Sequence, residues 1–209
     1  MKKIHIILSA IFLVNMISAI SLYSYMPEKM ASHWNINGEV DGYMTRYWGM
    51  FLMPTILLFL ILLLLFLPKT DPSNNLKKFS RQYELFIVVF SVFMTYLYML
   101  TLAWNLGFKF SFNISLAPAF GALFYSIGLL IEKAKQNWFA GIRTPWTLSS
   151  KKVWEKTHKL GSKMFKACGF LSIIGVFFST HTLFFMILPA MFTSIFLVLY
   201  SYFEWKKLK

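Results

Sequence analysis

Apolar residues fall along this chain in long blocks, and the polar residues collect in the intervals between them. Blocks at about 4–26, 48–68, 83–105, 115–132, 164–180 and 183–204 approach or exceed the roughly 20 residues that an α-helix needs to cross a hydrocarbon core of about 30 Å. Pro27 closes the first block and Pro68 with Lys69 closes the second, because proline cannot donate the backbone hydrogen bond of a continuing helix. Phe108 to Ser115 separates the third from the fourth, and Ser179-Thr-His-Thr182 makes a tight turn between the last two. The pattern predicts an all-α integral membrane protein with six transmembrane helices. Met1-Lys-Lys followed by Ile4 to Tyr25 resembles a secretory signal, but its apolar run of about 22 residues exceeds the roughly 7–15 of a signal core, and no Ala-x-Ala site closes it. It reads as a retained first span.

Composition agrees: 57% of the 209 residues are hydrophobic and only 14% charged, too few charges to cover a soluble domain of this size. The net charge of +13 would suggest nucleic acid in a soluble protein. Here the lysines flank apolar spans and point to topology and anionic headgroups, with no direct nucleic-acid contact. Eighteen of the 21 Lys and Arg residues lie at the two termini, including Lys2, Lys206 and Lys209, and in the 69–82 and 133–166 intervals; only Lys29, Arg46 and Lys109 lie in the others. Positive residues are retained in the cytoplasm, so both termini are expected inside (N-in/C-in), with the 27–47 loop outside. The single cysteine, Cys168, excludes an internal disulfide.

The middle of every span lacks Asp, Glu, Lys, Arg and His, with Glu84 and Glu132 at interfaces, which argues against an ion-coupled transporter. Asn15 is expected to hydrogen-bond between helices. Ala117/Gly121, Ala122/Ser126 and Gly175/Ser179 are small pairs four apart, a spacing that lets backbones approach. Pro189 predicts a kink in the sixth span.

The outer loop contains Asn37-Gly38 and Asp41-Gly42, turn dipeptides that supply positive φ cheaply. With Trp34 and Tyr43 they predict a compact loop resting at the membrane interface. His33 with Glu28, Glu39 and Asp41 matches no ligand spacing, so no metal is expected. There is no His-Glu-x-x-His, Gly-x-Ser-x-Gly, P-loop or Gly-x-Gly-x-x-Gly, and neither an enzyme nor a cofactor is expected.

The inner segment Asn137-Trp-Phe-Ala-Gly-Ile-Arg-Thr-Pro-Trp-Thr-Leu148 is neither lipid-soluble nor an ordinary polar loop. Pro145 forces Thr144 out of helical geometry, so Gly141 to Trp146 must bend. Arg143 can snorkel to phosphates or lock the turn by donating to carbonyls. Ser149 or Ser150 caps a basic helix whose Val153, Trp154, Thr157, His158 and Leu160 share a face. The prediction is an interfacial cytoplasmic amphipathic helix that bends into the fifth span, with His158 a simple hydrogen-bonder.

These residues resemble the SdpI-type family of bacteriocin-immunity membrane proteins. Asn137, Phe139, Gly141, Arg143, Thr144, Pro145, Trp146 and Thr147, with Trp154, Thr157 and His158, follow that family's signature. Pro27, His33, Trp34, Asn35, Gly38, Asp41, Gly42 and Pro54 resemble the small domain of unknown function DUF1648. The resemblance implies three regions: 1–68 (DUF1648-like), 69–132 (third and fourth spans) and 133–209 (SdpI-type). It implies a multi-pass cell-membrane protein that protects against a secreted membrane-active peptide toxin. In the founding system it implies recruitment of a soluble transcriptional repressor on the inner side. The expected partners are the bilayer, the peptide at His33 to Tyr43 outside, and the repressor at the cytoplasmic motif. Two competing readings are a small-molecule or peptide transporter, which would need a polar translocation path, and a lipid-binding structural protein that uses the lysine-rich face.

Overall fold

The computed structural model describes residues 2–208, apart from the side chains of Lys2 and Thr180; Met1 and Lys209 lie outside the described residues, as does the side chain of Lys2 counted above. Seven α-helices and two strands follow one another: α1 (Lys2–Leu22), β1 (Lys29–Trp34), β2 (Val40–Thr45), α2 (Arg46–Thr70), α3 (Ser80–Asn105), α4 (Phe112–Lys133), α5 (Pro145–Ser149), α6 (Lys151–Ile174) and α7 (Thr182–Lys206). All but α5 belong to, or extend, one of six segments long and apolar enough to cross a membrane, at Lys3–Tyr25, Arg46–Thr70, Leu76–Asn105, Phe112–Lys133, Lys151–Phe177 and Thr182–Lys206, leaving the two strands aside.

The expectation of an all-α chain is corrected by the outer loop. Residues 29–45 form an antiparallel hairpin in which Lys29 pairs with Thr45 and Trp34 with Val40. Its turn is closed by Asn35, whose backbone N–H donates to the Glu39 carbonyl at 2.9 Å and whose carboxamide oxygen accepts from Asn37 and Glu39. Gly38 sits there at φ 79°, a conformation glycine adopts without steric cost. Register shifts on either side of His33 break the simple alternation.

A second correction concerns the lysine-rich helix. Residues 151–174 form one continuous helix, with no break between a surface segment and the fifth span. Its apolar face meets protein, burying Val153, Trp154, Thr157 and His158. Two of its lysines find carboxylates on neighbouring helices: Lys156 pairs with Glu204 of α7 and Lys166 with Glu132 of α4. Pro68 does not end α2, and Pro189 does not interrupt the assignment of α7.

Glycines bring α4 and α6 together. A Cβ on Gly169 would lie 2.7 Å from the Gly121 carbonyl oxygen, and one on Gly128 would lie 2.9 Å from that of Ser162. Such backbone proximity is how helices associate when lipid is as apolar as the side chains. Asn15 donates to Thr95 Oγ1 at 2.8 Å, joining α1 to α3, and Tyr98 donates to the Met50 carbonyl at 2.9 Å, joining α3 to α2. Of two apolar clusters, one gathers Leu8, Leu57, Ile87, Leu130 and Trp154, and the other gathers Ala19, Met30, Met50 and Tyr98 beneath the hairpin.

Candidate functional site

Antiparallel helices place the hairpin and the 106–111 turn at one end of the bundle, and the 71–79 and 134–150 connections at the other. The two groups of sequence-predicted residues therefore form two separate sites.

At the motif end, the chain leaves α4 and folds around the Asn137 side chain, which is almost wholly buried. Its Oδ1 accepts from Phe139 N–H (2.8 Å) and Ala140 N–H (2.7 Å), while Nδ2 donates to the carbonyls of Lys135 and Ala140 (both 2.8 Å). One carboxamide thus satisfies four backbone groups that would otherwise be costly to bury. Gly141 follows at φ 116°, and a Cβ there would sit 2.4 Å from His158 Nε2. Only glycine fits this step.

His158 holds what comes next. Its Nε2 accepts from Ile142 N–H at 3.0 Å and its Nδ1 lies 2.8 Å from the Trp154 carbonyl. Because Nε2 accepts and only Nδ1 can donate, the hydrogen bonds select the neutral Nδ1–H tautomer. The imidazole stacks on Trp154 with centroids 3.9 Å apart, and Trp154 Nε1 donates to the Ala134 carbonyl at 2.9 Å. His158 is a hydrogen-bonder, as expected, but inside the protein and not at the interface.

Arg143 is exposed and donates to the Trp138 carbonyl at 2.6 Å, the turn-locking alternative of the two expected for it. Thr144, extended at ψ 161°, caps α5 through a reciprocal capping box with Thr147, and Pro145 occupies the first helical position, where its missing N–H costs nothing. Thr144 Oγ1 also meets Ser201 Oγ of α7 at 2.9 Å, and Trp146 packs edge-on against Tyr202. Ser150 caps α6, as predicted, by accepting from Val153 N–H. Thr157 Oγ1 is buried with no hydrogen-bond partner among the described residues.

Three contributors went unread in the sequence. Gln136 donates to the carbonyls of Thr147 and Leu148 (2.8 Å each), and Asn75 donates to the Gln136 carbonyl at 2.7 Å. Asp71 organises the Asn75 turn by accepting from Ser73, Asn75 and Leu76. Burial pushes the Asp71 carboxyl up, but the hydrogen bonds from Leu76, Ser73 and Asn75 together outweigh it and hold it below the usual carboxylate range. The Asp-Pro-Ser-Asn-Asn run was a visible turn signal; its partner across 61 residues was not.

At the hairpin end the arrangement is looser. Asn105 donates to the Ala31 carbonyl (3.0 Å) and accepts from Ala31 N–H (2.7 Å), and Asn113 donates to the Ile36 carbonyl (2.7 Å), tying the hairpin to α3 and α4. Trp34 stacks on Phe112 at 3.8 Å with Trp104 edge-on, and its Nε1 has no partner among the described residues. His33 and Asp41 form an exposed 2.5 Å pair across the strands. Tyr43 is 63% exposed. Gly42 faces His33, where a Cβ would lie 2.8 Å from that of the histidine.

Residues 133–201 match the SdpI/YfhL protein family, and residues 10–58 match a domain of unknown function, DUF1648. The chain is 27% identical over 210 residues to the immunity protein SdpI of Bacillus subtilis (strain 168), covering 100% of this chain and 98% of that protein. No solved structure matches. With six membrane-length helices, these likenesses make the chain a multi-pass protein of the cell membrane bearing an SdpI-type region behind a DUF1648 region.

Proposed function

We propose that this SdpI-type membrane protein is an immunity protein that protects its cell against a secreted, membrane-active peptide. The observation that carries the reading is the end-to-end likeness to an immunity protein. It embraces hairpin and motif together and not one shared module. The charge distribution supports an N-in/C-in orientation, with the hairpin outside and the motif in the cytoplasm.

In this reading His33, Trp34, Asn35, Gly38, Asp41, Gly42 and Tyr43 form the outer surface that meets the peptide. The exposed cross-strand His33–Asp41 pair and Tyr43 offer polar and aromatic contacts on the hairpin surface. The Asn137–His158 assembly forms the cytoplasmic side, where Arg143, Pro145 and the lysine face of α6 are accessible to a soluble repressor. Expression in a peptide-sensitive cell, followed by challenge with secreted membrane-active peptides, tests the proposal. Survival should rise with the intact protein. Unchanged survival at normal membrane abundance, across the peptides made by the source organism, would remove it. Repressor recruitment is tested separately, by repressor fractionation with membranes before and after peptide addition.

A further inference from the structure

The motif end holds a cavity of about 520 Å³, lined in part by Lys151 and Lys159 of the α6 lysine face but assigned no small ligand above. Three separate stretches wall it: the turn entering α3 at Asn75, the segment from Glu132 to Gln136 leaving α4, and the first turns of α6. Lys78, Lys133, Lys135, Lys151 and Lys159 line it, against only two carboxylates, Glu132 and Glu155. Glu132 is already engaged by Lys133 at 3.8 Å and by Lys166. Lys78, Lys135, Lys151 and Lys159 make no ion pair among the described residues, and neither does Glu155. The cavity is thus a concave, uncompensated positive charge.

Its floor narrows the ligand chemistry. Trp154 Nε1 is committed to Ala134, both His158 nitrogens are occupied, and Gln136 Nε2 serves the carbonyls of Thr147 and Leu148. Besides the Glu155 carboxylate, what remains to meet a ligand is a ring of flexible ammonium groups, which act as point charges with several donors each. Such a ring selects anions, phosphate above all, over neutral hydrogen-bonding molecules. The cavity also lies where three membrane-length helices end, the depth of lipid headgroups. Basic pockets between transmembrane helices are where anionic headgroups dock.

We propose that this cavity binds the headgroup of an anionic phospholipid. Its volume exceeds that of one phosphate several-fold, so diphosphatidylglycerol, whose glycerol carries two phosphates, fits better than a lipid with one. The site stands independently of the immunity reading and of which side of the membrane the motif faces. Glu155 is the one lining carboxylate that opposes the ligand without a counter-charge.

Native mass spectrometry of the purified full-length protein, titrated with diphosphatidylglycerol and with zwitterionic phosphatidylcholine, tests the site. Diphosphatidylglycerol should be retained and phosphatidylcholine should not. The triple variant K78Q/K135Q/K151Q should bind roughly a hundredfold more weakly, at about fivefold per lysine. The control K152Q/K163Q/K206Q removes the same charge from residues outside the cavity and should change binding by less than about threefold. Glu155→Gln, which breaks no ion pair or hydrogen bond among the described residues, should tighten binding severalfold and keeps the test alive if the triple variant fails to fold. Equal losses in the two triples, or no gain in Glu155→Gln, would reduce the cavity to diffuse surface charge and overturn the proposal. Inorganic phosphate that displaced the lipid at millimolar concentration and stabilised the protein equally would overturn lipid as the source of the anion.

Discussion

The two ends of the bundle are built from similar residue types and put them to opposite use. At the motif end Asn137, Thr144, Thr147, Trp154 and His158 are buried, and all five side chains are hydrogen-bonded to the chain that carries them. At the hairpin end His33, Asp41 and Tyr43 point outward, and Trp34 leaves its indole N–H unpaired. A tryptophan beside a histidine is a structural lock in one place and, in the other, a stacked strut beside an exposed histidine paired only with Asp41. The difference teaches that a dense, distinctive motif can mark where the backbone is hard to fold, while exposed polar side chains at the other end carry no comparable load.

That contrast can be broken by mutation, starting at the lock. Asn137→Ala strands two buried N–H groups and two carbonyls and should cost about 4 kcal/mol, read as a fall in thermal unfolding temperature in detergent; a loss below about 1 kcal/mol would mean that water replaces the carboxamide. Gly141→Ala forces a side chain into φ 116° and against His158, with an expected cost of about 3 kcal/mol and loss of protection through lowered membrane abundance. Trp-to-Phe exchange compares the ends directly. Trp154→Phe abandons the Ala134 carbonyl and should lose about 2 kcal/mol, whereas Trp34→Phe removes an already unpaired N–H and should lose less than about 1 kcal/mol. His33→Ala with Asp41→Ala should leave stability within about 1 kcal/mol, as for exposed pairs generally, yet lower survival in the peptide challenge. If survival is unchanged, peptide contact lies elsewhere.

The smallest effect is set by pH. The folded state holds Asp71 below its ordinary range, so its contribution is complete above the unfolded value of about 4 and is lost as pH falls through the folded value. Asp71→Asn should flatten that acid limb of the unfolding curve while leaving stability at neutral pH only modestly lower. An unchanged acid limb would show that the Asp71 turn is not coupled to the motif end.

Span number was legible because apolar length is a one-dimensional quantity, and the same holds for the Pro145 bend and the Ser150 cap, which depend on immediate neighbours. The hairpin was not. Its strands read Lys-Met-Ala-Ser-His-Trp and Val-Asp-Gly-Tyr-Met-Thr, and the irregular register around His33 erases the alternation by which strands announce themselves. The length of α6 was hidden for a different reason: Lys156 and Lys166 look like surface charges until Glu204 and Glu132 arrive from 48 and 34 residues away. At the motif end Asn137 acts within three residues of itself, yet Asn75, Gln136 and Ser201 join through tertiary folding alone. The peptide or repressor assigned to each end was legible only through family resemblance.

The unbroken course of α6 has a mechanical consequence. Twenty-four residues at 1.5 Å each make a rod of about 36 Å, with Trp154 and His158 near one tip and Gly175 at the other. A tilt of about 10° pivoting at the Gly175 tip swings the opposite tip by about 6 Å, by the geometry of a rod that length. At His158, about 26 Å from that pivot, the same tilt gives about 4 Å, more than the 3.0 Å length of the His158–Ile142 hydrogen bond. Tilt at one end and the motif at the other are therefore linked through a single element, with no break between them to absorb the motion.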